Sequence, residues 1–275
     1  MSFVAGGVAV ITGAGSGIGR TLARQLSAAG SALAIADIDA QGLAETAASL
    51  TGKGTVSRHI LDVSDEAAVR AFAEDVVGRH GRVTLLINNA GVALIGTFDE
   101  ISLDDLRWLM GINFWGAVYG VKYFLPILKQ QPRAHIVNLS SVFGMIAPVG
   151  QSAYSASKFA VRGFTEAIRH ELEGTSVCVS CVHPGGIRTA IAKRARLGAQ
   201  APESKGREAA GVFEKLASTS PEDAAARILK GVERREPRIL IGRDARQIDI
   251  VQRLRPATYW KMMAKRIKRA SPPKA

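Results

Sequence analysis

Short apolar runs alternate with longer stretches of helical pattern along most of the chain, and this alternation restricts the possible folds more than any other feature. Seven runs are typical of buried β-strands: "VAVIT" (8–12), "ALAIAD" (32–37), "TVSRHILD" (55–62), "TLLINNAG" (84–91), "HIVNLSS" (135–141), "SVCVSCVHPG" (176–185) and "RILIG" (238–242). Helical patterns lie between them, at about 17–29, 40–50, 65–80, 102–130, 152–173 and 221–235. We therefore predict an α/β protein, with a doubly wound parallel sheet of about seven strands and helices on both faces.

One connection is much longer than the others. Residues 188–219 carry many charges and separate the sixth predicted strand from the last predicted helix. Long connections of this kind are usually functional lids, and otherwise they are disordered. We expect a lid that contributes to substrate binding, with disorder as the alternative.

The excess of positive charge lies at one end of the chain. The 275 residues have a net charge of +12, but residues 251–275 contain eight Lys or Arg and no Asp or Glu. The other 250 residues therefore carry only +4 (12 − 8), which does not indicate a nucleic-acid partner. We expect one domain over residues 1–250 and a basic tail over residues 251–275.

The sequence shows no signal for membrane insertion or export. No run of about 18 apolar residues occurs, and no basic segment precedes the N-terminal apolar run. We expect a cytoplasmic protein.

The five histidines and two cysteines show no spacing typical of metal ligands. Cys178 and Cys181 form a CxxC pattern within a strand-like run, where positions i and i+3 face opposite sides. We expect two core cysteines and no metal site.

The first predicted strand leads into "TGAGSGIGR", in which Gly13, Gly17 and Gly19 precede a helix. Glycines permit a tight turn and let the backbone approach a pyrophosphate, whose charge is favoured at a helix N-terminus. The GxxxGxG spacing is a variant of the dinucleotide-binding loop, and the absence of GK[ST] argues against a P-loop NTPase. The turn therefore predicts a Rossmann-type dinucleotide site.

Asp37 ends the second predicted strand, 18 residues after Gly19. A carboxylate at this position can accept hydrogen bonds from the adenosine ribose and repels a 2′-phosphate. Ile38 follows, so no Arg or Lys stands beside Asp37, although Arg20 could reach a phosphate. The pattern favours NAD over NADP.

Tyr154 and Lys158 stand four positions apart in "AYSASKF" (153–159), within a predicted helix. Residues i and i+4 lie on one helix face, so the phenol and the ammonium would be close together. A free phenol has a pKa of about 10, and a nearby cation lowers it. We expect Lys158 to lower the pKa of Tyr154 and so make it an effective acid or base, and the alternative is a chance pair on the surface.

The motifs "TGAGSGIG", "NNAG", "NLSS", "YSASK" and "PGGIRT" together resemble the short-chain dehydrogenase/reductase family, in its shorter branch, over about residues 5–245. The resemblance implies oxidoreductase activity on CH–OH groups with NAD or NADP. It implies that Tyr154 is the general acid or base and that Lys158 also binds the nicotinamide ribose. Ser141 would polarise the substrate oxygen, with Ser140 as the alternative. Asn113 would hold a water in the proton relay.

The resemblance also implies a set of cofactor contacts. Asp62 and Val63 would contact adenine, and Ile187 and Thr189 would meet the nicotinamide end. The full expected set is Gly13, Ser16, Gly17, Ile18, Gly19, Asp37, Asp62, Val63, Asn89, Ala90, Gly91, Tyr154, Lys158, Ile187 and Thr189.

Substrate contacts are expected from residues 92–94, 142–151, Gly186 and 188–219. The stretch "VFGMIAPVGQ" (142–151) is almost wholly apolar, so it either packs in the core or favours a hydrophobic alcohol or ketone. We predict an NAD-dependent dehydrogenase or reductase of such a secondary alcohol. The alternatives are an NADPH-dependent carbonyl reductase and a non-catalytic dinucleotide sensor or scaffold.

Two further expectations concern assembly and the tail. Members of the family are often homo-tetramers or homo-dimers that pair the helices predicted here at 102–130 and 152–173. In the tail, residues 257–269 would form a basic amphipathic helix, with Trp260, Met263, Ala264 and Ile267 on one face and Lys261, Lys265 and Lys268 on another. This helix would pack on its own domain or a neighbouring subunit, or lie on an anionic membrane surface.

Overall fold

The computed structural model describes residues 3–270, and of residues 265–270 it describes only the backbone. The strands in chain order are β1 (Val8–Thr12), β2 (Ala32–Asp37), β3 (Val56–Ile60), β4 (Leu85–Asn88), β5 (Leu94–Ile95), β6 (Ala134–Leu139), β7 (Val177–Pro184), β8 (Arg196–Leu197) and β9 (Arg238–Ile241). Seven of them form one parallel sheet in the order β3-β2-β1-β4-β6-β7-β9. These seven are the strands predicted from the sequence, so the expected α/β fold is confirmed.

The helices surround this sheet. In chain order they are α1 (Gly17–Ala28), α2 (Ala40–Ala48), α3 (Glu66–His80), α4 (Leu103–Met110), α5 (Gly116–Lys129), α6 (Ser152–Glu171), α7 (Glu203–Leu216), α8 (Pro221–Glu233), α9 (Arg243–Leu254) and α10 (Tyr259–Ala270). Helix α4 starts with a capping box, because the Ser102 hydroxyl accepts from Asp105 N and the Asp105 carboxylate accepts from Ser102 N.

Alternating strand side chains create a core on each face of the sheet. On β1, Ala9 and Ile11 pack with α1 and α8, whereas Val10 packs with α3 and α5 on the opposite face. Successive residues of a strand point to opposite sides, so a parallel sheet covered on both faces needs apolar residues at nearly every position. This requirement explains why its strands read as continuous apolar runs.

The helix predicted at 102–130 is not continuous. Helices α4 and α5 are joined by a π-helical turn at Gly111–Trp115, which contains Asn113. A π turn inserts a wider loop into the helical path and often occurs at functional sites. Because the apolar spacing is regular on both sides of the turn, the sequence does not reveal the interruption.

The insertion at 188–219 contains two regular elements that the sequence pattern did not reveal. Strand β8 pairs with β5 as a separate two-stranded parallel sheet, and α7 follows it. Strands of two residues are too short to show periodicity. Helix α9 is also new, and it runs across residue 250, where the boundary between domain and tail was expected.

The tail helix α10 packs against α7, and the Tyr259 hydroxyl accepts a hydrogen bond of 3.0 Å from Ala147 N. Trp260, Met263 and Ala264 are partly buried, whereas Lys261 and Met262 are exposed. The predicted positions Lys265, Ile267 and Lys268 lie outside the described side chains. Within residues 3–270, no helix combines the length and apolar character that crossing a membrane requires.

Candidate active site

The carboxyl ends of β1 and β4 adjoin each other where the strand order reverses. From β1 the chain runs outward to β2 and β3, and it then returns to β4 on the other side of β1. Open α/β sheets bind ligands in the crevice outside the strand ends at such a reversal. The glycine-rich turn follows β1, and "NNAG" follows β4, so both motifs lie at this point.

The glycine-rich turn packs directly on "NNAG". Gly13 has a φ of +66°, and a Cβ on it would lie only 2.7 Å from Ala90 Cα. A Cβ on Gly19 would overlap the Gly13 carbonyl oxygen. Helix α1 starts at Gly17 and has no acidic residue in its first turn. The turn therefore leaves a helix N-terminus suited to an anion.

Two asparagines connect the neighbouring strands, each in a different way. Asn89 Nδ2 donates to the carbonyl oxygens of Thr12 and Gly13, both at 2.9 Å. Asn88 Nδ2 donates to Asn138 Oδ1 at 2.8 Å, which joins β4 to β6. The side chains of this motif therefore fix the loops around the site.

The Asp37 carboxylate stands at the end of β2 and faces the turn. Its Oδ2 accepts from Gly15 N at 2.7 Å, and its Oδ1 accepts from Asp39 N at 2.9 Å. A carboxylate oxygen can accept more than one hydrogen bond, so both atoms keep capacity for ribose hydroxyls. The placement fits the expected role of Asp37.

Arg20, the residue that could have reached a phosphate, is engaged elsewhere. Its guanidinium pairs with Glu45 at 2.9 Å, donates to Thr46 Oγ1 at 3.0 Å and also donates to the carbonyl oxygens of Gly15 and Gly42. These partners tie α1 to α2 and engage the Nε and Nη2 donors of Arg20.

The expected adenine contacts lie after β3, next to β2. Leu61 N donates to Asp37 O at 3.0 Å, which places the following residues beside the Asp37 strand end. Asp62 is exposed, and its Oδ1 accepts from the backbone and hydroxyl of Ser64. Val63 is buried, and a Cβ on Gly116 would lie 2.8 Å from its Cγ2.

Ser141, Tyr154 and Lys158 meet at the carboxyl end of β6. Ser141 directly follows Ser140 after β6, and Tyr154 and Lys158 lie in the first two turns of α6. Lys158 Nζ donates to Leu139 O at 3.0 Å and lies 5.8 Å from the centre of the Tyr154 ring. Lys158 is only 4% exposed. A buried ammonium therefore lies beside the phenol.

The expected lowering of the Tyr154 pKa is wrong for the protein by itself. Burial raises the pKa of Tyr154 to about 12, and the Ser141 side chain opposes this only in part. Burial also lowers the pKa of Lys158 to about 8. Removing both groups from water disfavours both charged forms, and this effect exceeds the attraction expected from helical spacing.

Asn113 lies close to this pair. A Cβ on Gly91 would lie 3.2 Å from Asn113 Oδ1 and 3.3 Å from Lys158 Nζ. Asn113 Nδ2 donates to Val92 O and Ser157 Oγ, and its Oδ1 accepts from Val92 N at 2.8 Å. Both amide hydrogens are thus in use, and the water-holding role of Asn113 stays a prediction.

The two adjacent serines differ in their surroundings. The Ser140 hydroxyl donates to Lys158 O at 2.8 Å and is packed under Gly144. The Ser141 hydroxyl accepts from Phe143 N at 3.1 Å and interacts with the Tyr154 side chain. Only Ser141 faces the phenol, so Ser140 has a structural position.

The loop after β7 approaches the glycine-rich turn. Ile187 is buried, and Thr189 Cγ2 would lie 3.2 Å from a Cβ on Gly17. The sequence did not reveal the residue that holds this loop: Asp244, in the first turn of α9, accepts from Gly186 N at 2.7 Å. In the sequence, the only signal of this contact is the doublet Gly185–Gly186. Position 185 requires glycine because the Asp244 carboxylate occupies the space that a Cβ would fill.

Apolar side chains surround the Tyr154 ring. Leu94, Leu109 and Ala153 form a buried cluster against which Val92 and Tyr154 pack. Phe143 meets the Tyr154 ring edge-on, with centroids 6.0 Å apart. The stretch 142–151 thus divides: Met145 and Ile146 are core residues, Phe143 faces the site, and Val149 is exposed.

The cysteines lie on β7 as predicted and are free thiols. In the part of the chain that the structure describes, no three His, Cys, Asp or Glu side chains are grouped to hold a metal ion. The site brings together a phenol, a hydroxyl and an ammonium beside the crevice at the strand ends.

Comparison with known proteins agrees with this fold. The family model described as short chain dehydrogenase matches residues 7–200. The chain is 44% identical over 268 residues to "Putative oxidoreductase SadH" of Mycobacterium tuberculosis, covering 96% of each protein. It is 32% identical to dehydrogenase/reductase SDR family member 7B of Xenopus laevis, covering 98% of this chain and 84% of that protein.

A solved structure shows the same likeness over the whole chain. A short-chain dehydrogenase/reductase from Burkholderia phymatum in complex with NAD superposes with a TM-score of 0.83 at 32% identity, covering 100% of this chain and 99% of that one. Fold and site together define an oxidoreductase of the nicotinamide-dinucleotide class. The chain belongs to the short-chain dehydrogenase/reductase family and is an NAD(P)-dependent dehydrogenase or reductase.

Proposed function

We propose that this protein uses NAD to interconvert an apolar secondary alcohol and its ketone, with Tyr154 as the general acid or base. The observation that carries the proposal is the meeting of Ser141, Tyr154 and Lys158 at the carboxyl end of β6, with Lys158 next to Gly91 of the motif that packs on the glycine-rich turn. A phenol that lies beside an ammonium and a hydroxyl suits proton exchange with a substrate oxygen.

The bound cofactor supplies the hydride chemistry, so the protein must orient the substrate and move one proton. With a pKa raised to about 12, Tyr154 keeps its proton at neutral pH and can donate it to a ketone oxygen held by Ser141. In the oxidative direction the Tyr154 phenolate would accept the alcohol proton, and a bound NAD would accept the carbinol hydrogen as hydride. The positive charges of Lys158 and of the oxidised nicotinamide ring favour that phenolate.

The proposed cofactor is NAD. Asp37 retains capacity for the ribose hydroxyls and would repel a 2′-phosphate, and Arg20 is occupied by Glu45 and Thr46. The neighbour from Burkholderia phymatum, which carries NAD, supports the same choice. The NADPH-dependent alternative requires a 2′-phosphate next to the Asp37 carboxylate, which costs electrostatic energy.

The proposed substrate is hydrophobic near its reacting carbon. Val92, Leu94 and Phe143 surround the Tyr154 ring with apolar surface. We further propose that residues 1–250 act as the catalytic domain and that 188–219 closes over the substrate as a lid. Exposed aromatic residues at Trp115 and Phe159, on the helical surface of 102–130 and 152–173, support pairing of these helices in a homo-oligomer.

The tail has two proposed uses. The contact of α10 with α7 and the bond from Ala147 N to Tyr259 favour packing on its own domain. Exposed Lys261 and Met262 leave room for a peripheral membrane contact through 257–269. Sedimentation with liposomes tests this second use: binding should require anionic lipid and disappear on truncation at residue 256.

The central test is cofactor-reduction absorbance with NAD and NADP in parallel, over a panel of lipid-like and small polar alcohols. Tyr154→Phe should abolish turnover while the variant still binds NAD. Tyr123→Phe is the matched control, because its hydroxyl bonds Glu66 on the surface, away from the site. Strong activity on a polyol would refute the apolar substrate, and turnover retained in Tyr154→Phe would refute the role of Tyr154.

A further inference from the structure

The insertion at 188–219 crosses the glycine-rich turn before it reaches α7. Thr189 lies against Gly17, and Arg194 N donates to Ala190 O at 2.9 Å, so the segment folds back on itself there. A cavity of about 300 Å³ lies beneath it. Gly15 and Ser16 of the turn form one wall, and Gln41 and Gly42 of α2 form another. Arg194, which belongs to the insertion, forms a third.

Most charged groups around this cavity already have partners. Arg20 pairs with Glu45 and donates to Thr46, and the Asp39 carboxylate accepts from Gly42 N at 3.0 Å. The Arg194 side chain makes no hydrogen bond or ion pair with any described residue. Arg194 therefore brings to this cavity, next to the glycine-rich turn, a guanidinium that pairs with none of the described residues.

Each of the other basic residues in the first half of the insertion already has a partner, either within the insertion or outside it. Arg188 donates to Ser218 O at 2.8 Å, and Lys193 lies 3.6 Å from the Glu214 carboxylate. Arg196 stacks over the Trp108 ring at 3.7 Å. Arg194 has no such anchor, so its charge is available to a ligand.

We propose that Arg194 binds a phosphate group of the dinucleotide and so couples the insertion to cofactor binding, an inference that rests on the proposed use of a nicotinamide dinucleotide. A guanidinium matches the oxygens of a phosphate with two parallel hydrogen bonds. The adjacent N-terminus of α1 attracts the same anion. Arg194 thereby adds a contact from outside the sheet to a site otherwise built from strand ends.

Two different phosphate groups of a dinucleotide fit this description. The diphosphate bridge is common to NAD and NADP, whereas the 2′-phosphate belongs to NADP alone. Titration calorimetry separates them, with adenosine, ADP, 2′,5′-ADP, NAD and NADP as the ligands and the native protein beside Arg194→Gln. Arg207→Gln is the matched control, since Arg207 is exposed on α7, away from the cavity lining, and its loss changes the net charge equally.

Arg194→Gln should weaken the binding of ADP, NAD and NADP by about fivefold to twentyfold and leave adenosine unchanged. The loss should shrink as salt increases, because the contact lies near the surface. Weakening confined to NADP and 2′,5′-ADP would assign the contact to the 2′-phosphate instead.

Two results would overturn the proposal. One is unchanged binding of every phosphate-bearing ligand by Arg194→Gln, and the other is an equal loss in Arg207→Gln or for adenosine. A native protein that binds no dinucleotide would refute the proposed function as well. Native binding that Arg194→Gln leaves intact would refute only the role of Arg194.

Discussion

The start of α6, with the proposed catalytic pair, and the insertion at 188–219, the proposed lid, are held in opposite ways. Around Lys158, buried hydrogen bonds from Ser140 and to the Leu139 carbonyl fix the helix to the sheet. Helix α7 buries none of its residues, and polar contacts such as the ion pair of Lys205 with Glu100 attach it. The proposed reacting groups are built into the core, whereas the proposed lid lies on the surface.

This difference indicates separate roles for the two regions, proton exchange for the core around Lys158 and opening for the insertion. Groups that exchange protons need fixed positions, because small displacements strongly reduce the rate. A cover must open, and elements with few buried apolar contacts open at low free-energy cost. Changes in the core around Lys158 should therefore affect turnover or stability, and changes in the insertion should affect substrate binding.

The largest effect is expected for Lys158→Met. Removing the buried ammonium deprives the phenolate of its neighbouring charge, so kcat should fall by about a thousandfold. The matched change Lys205→Met, in the insertion, should alter KM and leave kcat close to native. Steady-state kinetics of both variants tests the contrast, and a similar loss of kcat in both would contradict it.

A second contrast is between buried and exposed histidines. Burial lowers the pKa of His135 to about 3, so between that value and 6.5 the unfolded chain binds more protons than the folded one. Stability should therefore fall as the pH falls from 6.5. At pH 4.5 His135 should account for about 2 to 3 kcal/mol of this loss.

Urea unfolding at pH 7 and pH 4.5 measures the effect. His135→Leu should lose less stability on acidification than the native protein, because leucine cannot bind a proton. The substitution leaves no unpaired hydroxyl, since Ser180, the partner of His135, keeps a hydrogen bond to Glu236 O. The exposed His170, replaced by Leu, serves as the control and should behave as native. An unchanged pH dependence in His135→Leu would refute the role of burial.

Two helical glycines test the same difference, between a tightly packed core helix and the loosely packed helix of the insertion. A Cβ on Gly120 of α5 would overlap Asn88 Oδ1, whereas one on Gly211 of α7 meets nothing within 4 Å. Gly120→Ala should lower the free energy of unfolding by about 2 kcal/mol. Gly211→Ala should raise it by up to about 1 kcal/mol, because Ala is the better helix former. Denaturant melts of both variants would show the opposite signs, and destabilisation by Gly211→Ala would show that α7 is more tightly packed than described.

The smallest effect is expected at the tail. Tyr259→Phe removes the acceptor for Ala147 N, a single neutral hydrogen bond at an exposed backbone group. KM should rise by about twofold to fivefold with kcat unchanged, since only the stretch 142–151, an expected substrate contact, is loosened. Met262→Ala, on the exposed side of the same helix, is the control. A change in kcat rather than KM would place Tyr259 closer to the chemistry than its contact indicates.

The sequence by itself determined the seven-stranded sheet and the dinucleotide crevice, because both depend on local patterns. Buried parallel strands must be apolar throughout, and a turn as tight as that at Gly13 requires glycine. The spacing of Tyr154 and Lys158 placed both groups on one helix face for the same reason.

Only the tertiary structure decided what depends on distant segments and on burial. The pKa of Tyr154 rises because the surrounding protein excludes water, which no spacing within α6 can report. Asp244 reaches Gly186 across 58 residues, and Arg194 reaches the glycine-rich turn from an insertion without periodic pattern. The π turn at Gly111–Trp115 lies within an unbroken helical pattern. Such contacts are set by the folding of one element onto another, so the sequence alone does not reveal them.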